Sequence, residues 1–214
     1  MFKFDRMKKL LLLVAGIVTL ASCSKSPEKK ADALIKKELN KVLYHAETYD
    51  PVETVLDSAF YPLDSPVLYE LIDQANAASI EYNEQEQKAK SAKSSMALWD
   101  TPYQSAYGRN RYNEYKDTFE KASEQAEKLK NKMDQFYQKI CSMLNEKPKF
   151  VGYKALHSFR AQNNVGDVAF GHDFFLMDEK LEKVTYSCEA EKYNEYQEAI
   201  KLVFESMNQT NGAE

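Results

Sequence analysis

YNEYKDTFEKASEQAEKLKNKMDQFYQKICSM, Tyr112 to Met143, carries Tyr112, Tyr115, Phe119, Ala122, Ala126, Leu129, Met133, Phe136, Ile140 and Met143 at unbroken alternating intervals of three and four. That spacing keeps one apolar stripe on one side of a helix and forms a heptad seam, which needs a second seam to bury it. The preceding segment supplies one. Leu68, Leu71, Ala75, Ala78, Tyr82, Gln85, Ala89, Ala92, Met96 and Trp99 repeat the same intervals with Gln85 as the single polar member. Two seams of equal length predict an antiparallel helical hairpin. Its best-filled register sets Ala75 against Phe136, Ala78 against Met133 and Ala92 against Phe119, so that small meets large. In that register Gln85 and Ala89 meet Ala126 and Ala122, a thin central layer where the helices approach closely. At 1.5 Å per residue the hairpin extends roughly 45 Å.

Outside this arm the period changes. Residues 31–44 have helical spacing, whereas Val52, Thr54, Leu56, Ser58 and Phe60 alternate as a strand between Pro51 and Pro62. After Pro148 the chain turns aromatic and β-branched. KFVGYKALHSFRAQNNVGDVAFGHDFFLMD reads as a β-hairpin closed by Asn163-Asn164-Val165-Gly166. With that four-residue loop Phe159 faces Phe170, Ala161 faces Val168, Ala155 faces Phe174 and Tyr153 faces Leu176. KVTYSC adds a strand, and Tyr193, Tyr196, Ile200, Val203 and Met207 mark a final helix. The predicted fold class is α+β: a small helix-on-antiparallel-sheet body with an inserted long antiparallel coiled-coil hairpin and a C-terminal helix. The expected divisions are 1–22 signal peptide, 23–30 tether, 31–64 and 146–214 body, and 65–145 arm.

The N-terminus decides location. Lys3, Arg6, Lys8 and Lys9 precede an eleven-residue apolar run, Leu10 to Leu20. This is a secretory-signal layout, too short for the roughly 20 residues that span a bilayer core. Leu20-Ala21-Ser22-Cys23 resembles the lipobox of bacterial lipoproteins of the Bacteroidetes type. The resemblance implies cleavage before Cys23 by signal peptidase II and acylation of Cys23, with membrane anchoring through its acyl chains. The tether that follows is basic, where surface-exported lipoproteins of that type carry an acidic cluster, so the chain is expected to face the periplasm. The stretch FRAQNNVG and its aromatic following strand resemble envelope proteins of unknown function from the same bacteria; this implies no activity.

Of the 214 residues, removing 1–22 takes away four of the 29 Lys and Arg and one of the 33 Asp and Glu, leaving 25 against 32, net −7. An acidic chain lacks the basic footprint that nucleic acid requires. Cys141 and Cys188 remain after lipidation as a candidate disulfide. The predicted β-register would set His157 opposite His172, but two imidazoles fall short of the three or four ligands zinc takes, so no metal or cofactor is expected. The chain also lacks G-x-S-x-G, H-E-x-x-H, C-x-x-C and phosphate-cradling motifs, so no enzyme activity is expected. The remaining signal lies in MALWDTPYQSAYGRNRY, Met96 to Tyr112, at the predicted far end of the hairpin. Trp99, Tyr103, Tyr107 and Arg109 are hot-spot residue types at a loop tip, and they are the expected contact for a protein partner in the envelope. Two other readings stand beside this non-catalytic interaction module: a periplasmic inhibitor or immunity-type protein using the 163–166 loop, and an enzyme with an unrecognised site.

Overall fold

The computed structural model describes residues 26–101 and 105–211. The fold is α+β: among the described residues, four helices and a four-stranded antiparallel sheet in the order β1-β2-β3-β4. In chain order the elements are α1 (Pro27–Val42), β1 (His45–Tyr61), α2 (Pro66–Trp99), α3 (Ala106–Leu144), β2 (Lys149–Gln162), β3 (Val168–Met177), β4 (Val184–Glu189) and α4 (Ala190–Asn211). By contacts the described chain separates into two units, one of residues up to 58 with 152–189 and one of 59–151 with 190 onward.

In the first unit, α1 begins four residues earlier than its apolar spacing predicts. Pro27 occupies the first turn, where its missing N–H costs nothing, and the Ser26 Oγ accepts from the Lys29 N–H at 3.5 Å. Residues 27–30 of the expected tether therefore belong to α1. Ala31, Ile35 and Leu39 of α1 pack with Ala155, Phe159, Ala161, Phe175 and Met177 of the sheet as one core. β1 is also longer than predicted. It runs through Pro51, which an edge strand tolerates because one side of its backbone carries no ladder bonds.

The β2–β3 register differs from the predicted one by one residue. Phe159 pairs with Gly171, Arg160 with Phe170, His157 with Asp173 and Ser158 with His172. The cause is the turn. The Asn163 Oδ1 accepts from the N–H groups of both Val165 and Asp167 at 3.0 Å, and the Asn163 N–H reaches the Asp167 carbonyl at 2.9 Å, so Asp167 joins the loop. Gly166, at φ 89°, supplies the left-handed residue the turn needs. Because side chains alternate across a strand, the slip changes faces. Phe170 becomes exposed, Phe174 and Leu176 are buried on the face opposite the α1 core, and His157 and His172 point to opposite sides of the sheet.

In the second unit, α2 and α3 form the long hairpin. Every predicted seam position from Leu68 to Trp99 and from Tyr112 to Met143 is buried or half-buried. The most enclosed positions include Ala78, Ala89, Ala92, Ala122 and Ala126, in keeping with close helix approach along the alanine-rich stretch. Ion pairs Glu86–Lys90, Asp117–Lys121 and Glu124–Lys128 lie along the solvated faces, each with the acid one turn before the base, the favoured orientation. The base of α2 carries a second stripe that the seam does not account for. Tyr69 stacks flat on Tyr196 of α4, with centroids 4.6 Å apart, and Tyr196 donates its hydroxyl hydrogen to Asp73 at 2.7 Å. Lys192 pairs with the same carboxylate at 2.9 Å. α4, expected with the body, thus packs on α2 and makes this end of the hairpin three-helical.

The Phe159 ring and Gly171 yield a stability test. A Cβ at position 171 would lie 2.3 Å from Phe159 Cζ, and the ring is hemmed by Tyr49 and His157 at 5.8 and 5.7 Å between centroids. Gly171→Ala should therefore cost about 1–3 kcal/mol by overpacking, read as a lower urea midpoint at unchanged slope. Phe159→Leu in the same chain should recover part of that loss.

Candidate functional site

The start of α3 is set by capping. Ser105, the N-cap of α3, accepts from the Gly108 N–H at 3.1 Å, which directs Tyr107 outward from the first turn. Trp99, the last residue of α2, meets Tyr107 edge to face at 5.6 Å, the geometry aromatic quadrupoles prefer. Tyr107 nevertheless stays 64 % exposed, and Leu98 beside it is 77 % exposed. Arg109 is exposed on the next turn, while Arg111 is held by Glu114 at 2.8 Å and by the Tyr115 hydroxyl at 3.0 Å. Three of the four predicted contact residues, Trp99, Tyr107 and Arg109, therefore gather at one end of the hairpin. Tyr103 lies outside the described residues, as does Cys23.

Other expectations fall elsewhere. No disulfide joins Cys141 and Cys188: both are half-buried thiols, one on α3 and one on β4. The opposed pair of histidines is corrected by the register, since His157 faces Asp173. Among the described residues no group of three or more His, Cys, Asp or Glu side chains is placed to hold a metal ion. Nor is any described helix long and apolar enough to cross a membrane.

His157 instead anchors a polar cluster that the sequence does not announce. It is 1 % exposed, with Nε2 at 2.9 Å from the Tyr49 hydroxyl and Nδ1 at 2.9 Å from the Thr54 Oγ1. Burial, reinforced by the Asp32 carboxylate, pushes the Tyr49 phenol up to about 12, so it keeps its proton and can donate it to Nε2. Nδ1–H is then the donor toward Thr54, and the neutral imidazole uses one donor and one acceptor. Beside the cluster lies a cleft of about 520 Å³ between α1 and β1, lined by Asp32, Lys36, Glu53 and Val52 with Tyr49 and Thr54. The Lys36 ammonium sits 5.9 Å from the centre of the Tyr49 ring. Val52 and Glu53 are separated from His157 by more than 100 residues of chain, and no local motif links them.

The cluster predicts a pH dependence. Burial holds the His157 imidazole below its ordinary value of 6.5, against the opposing pull of Asp32. The unfolded chain therefore binds the proton first, and stability falls as pH drops below 6.5 toward the depressed folded value. Asp173 acts in the opposite sense. Burial and the neighbouring Glu189 raise its carboxyl, so its contribution is present at low pH and lost as pH rises through the raised value. Thermal melts on an acid series should show the midpoint falling with pH, with a flatter fall in His157→Gln; Asp173→Asn should raise the midpoint at neutral pH.

Compared with protein-family models, curated proteins and solved structures, this chain matches none of them.

Proposed function

We propose that this chain is a lipid-anchored, periplasm-facing envelope protein that works as a non-catalytic interaction module, attached to the membrane through Cys23 and engaging a protein partner through the α2–α3 turn. The observation that carries the partner reading is the exposed Tyr107, edge to face on the half-buried Trp99, with exposed Leu98 and Arg109 at the same end of the hairpin. Loop ends in water are ordinarily polar, and aromatic residues with arginine supply large contact area at low cost in side-chain entropy. Each helix of the hairpin is long, 34 and 39 residues, or about 50 and 60 Å at 1.5 Å per residue. A helical element of that length serves to present a surface, and Tyr107 and Arg109 at its end lie outside the heptad seam. The anchoring reading rests on the lipobox-like Leu20-Ala21-Ser22-Cys23 after a charged and apolar leader.

Two experiments test the two halves. Labelled fatty acid should enter the wild-type chain and not Cys23→Ala; equal labelling of both would defeat the anchor. Replacing Tyr103, Tyr107 and Arg109 together by Ser should abolish co-purification of a cross-linked envelope partner while moving the melting temperature by only a few degrees, as substitutions outside a packed seam do. Retention of every partner by the triple variant would move the contact to the 163–167 loop, where Val165 is exposed, and would favour the inhibitor reading.

A further inference from the structure

We infer that the outward face of α1 lies against the anionic headgroup surface of the membrane, an inference that rests on the acylation of Cys23 proposed above. Only Ser24, Lys25 and Ser26 separate Cys23 from the first residue of α1. A fully extended chain of that length spans about 14 Å at most. The polar layer on each side of a bilayer core is roughly 5–8 Å thick. An acylated Cys23 at the edge of the hydrocarbon therefore brings the start of α1 within about one Debye length of the headgroups, 8–10 Å at physiological salt.

The charge pattern of α1 matches that position. At about 100° per residue, the face opposite the buried Ala31, Ile35 and Leu39 carries Lys29, Lys30, Ala33, Lys37, Asn40 and Lys41. It holds four lysines and no carboxylate. Of the acids of the helix, Asp32 and Glu38 fall on its flanks and Glu28 lies in the first turn on the side of the buried residues, and Glu38 contacts Lys41. This acid-free stripe belongs to a chain whose mature part is net acidic. Lysines near an anionic leaflet bind it additively, and an acyl anchor plus a basic patch is a recognised two-signal attachment. The anchor supplies residence and the stripe supplies orientation, holding one side of the first unit toward the lipid.

The test uses the full acylated chain in vesicles, with Ala33→Cys spin-labelled and Cys141 and Cys188 replaced by Ser so that Cys23 remains the lipid attachment. On mixed phosphatidylcholine and phosphatidylglycerol vesicles at low salt, access of a water-soluble relaxation agent to the label should drop by about fivefold or more relative to phosphatidylcholine alone. Raising the salt should restore access while the protein still floats with the vesicles, because screening weakens the stripe and leaves the acyl chains in place. Changing Lys29, Lys30, Lys37 and Lys41 to Glu should leave the label accessible on both lipids. Equal access on both lipids for the wild-type stripe, or protection that survives salt and the charge reversal, overturns the inference. A chain that does not float with either vesicle overturns the anchor itself, a separate readout from label access.

Discussion

The Phe159 ring fills the space that a side chain at position 171 would occupy, so the register that the Asn163 turn sets is accommodated by glycine there. Side chains alternate strictly along a strand, so one residue of slippage would turn every side chain of β3 to the other face. With Phe159 over Gly171, Phe175 and Met177 join Ala155 and Ala161 under α1. The same parity puts His157 inside, where Tyr49 and Thr54 complete its hydrogen bonds, and His172 outside. A buried imidazole with both nitrogens satisfied is tolerated, whereas one left unpartnered would cost the desolvation of its polar atoms. The share that β3 contributes to the first unit's core, Phe175 and Met177, depends on that one pairing.

The second unit follows a different rule. Its seam is read by period, and its close approach is set by small residues. Alanines at positions 78, 89, 92, 122 and 126 are buried along its middle, where small side chains let the helices approach closely and gain dispersion contacts. Larger side chains occupy the end where α4 joins, around Phe136, Ile140, Tyr69 and Tyr196. Stability within the hairpin is therefore uneven along its length, with apolar area concentrated at the three-helix end and the aromatic turn at the other.

The long periodic elements were legible because repetition outweighs any single residue: twenty seam positions agree with one pattern, and tertiary packing has no reason to break it. The strands and the α+β class were legible for the same reason at period two. The register was not, since it turned on whether Asp167 belongs to the loop or to β3, and only the paired hydrogen bonds to the Asn163 side chain decide that. The second stripe on α2 was missed because Tyr69, Ile72 and Asp73 have no rhythm of their own and gain meaning only beside Lys192 and Tyr196. Tyr49 and Thr54 were likewise silent, being two ordinary polar residues of an edge strand until a buried histidine from β2 reaches them. The aromatic turn could be found from composition alone, since its residue types are unusual for a loop.

The hairpin also changes what it takes for β1 to find β2. Tyr61 and Lys149 are the adjoining ends of two neighbouring strands, and the intervening chain is almost wholly helical. An unstructured insert of that length would carry a loop-closure entropy that grows with its logarithm. An antiparallel pair of helices returns the chain to its starting point, and the Tyr61 hydroxyl meets Glu146 at 2.8 Å where it does so. Helices and their local contacts form faster than distant strand pairings. Once α2 and α3 have zipped, β1 and β2 are joined in effect by a short connection, so the slowest topological step in the sheet becomes a nearly local one.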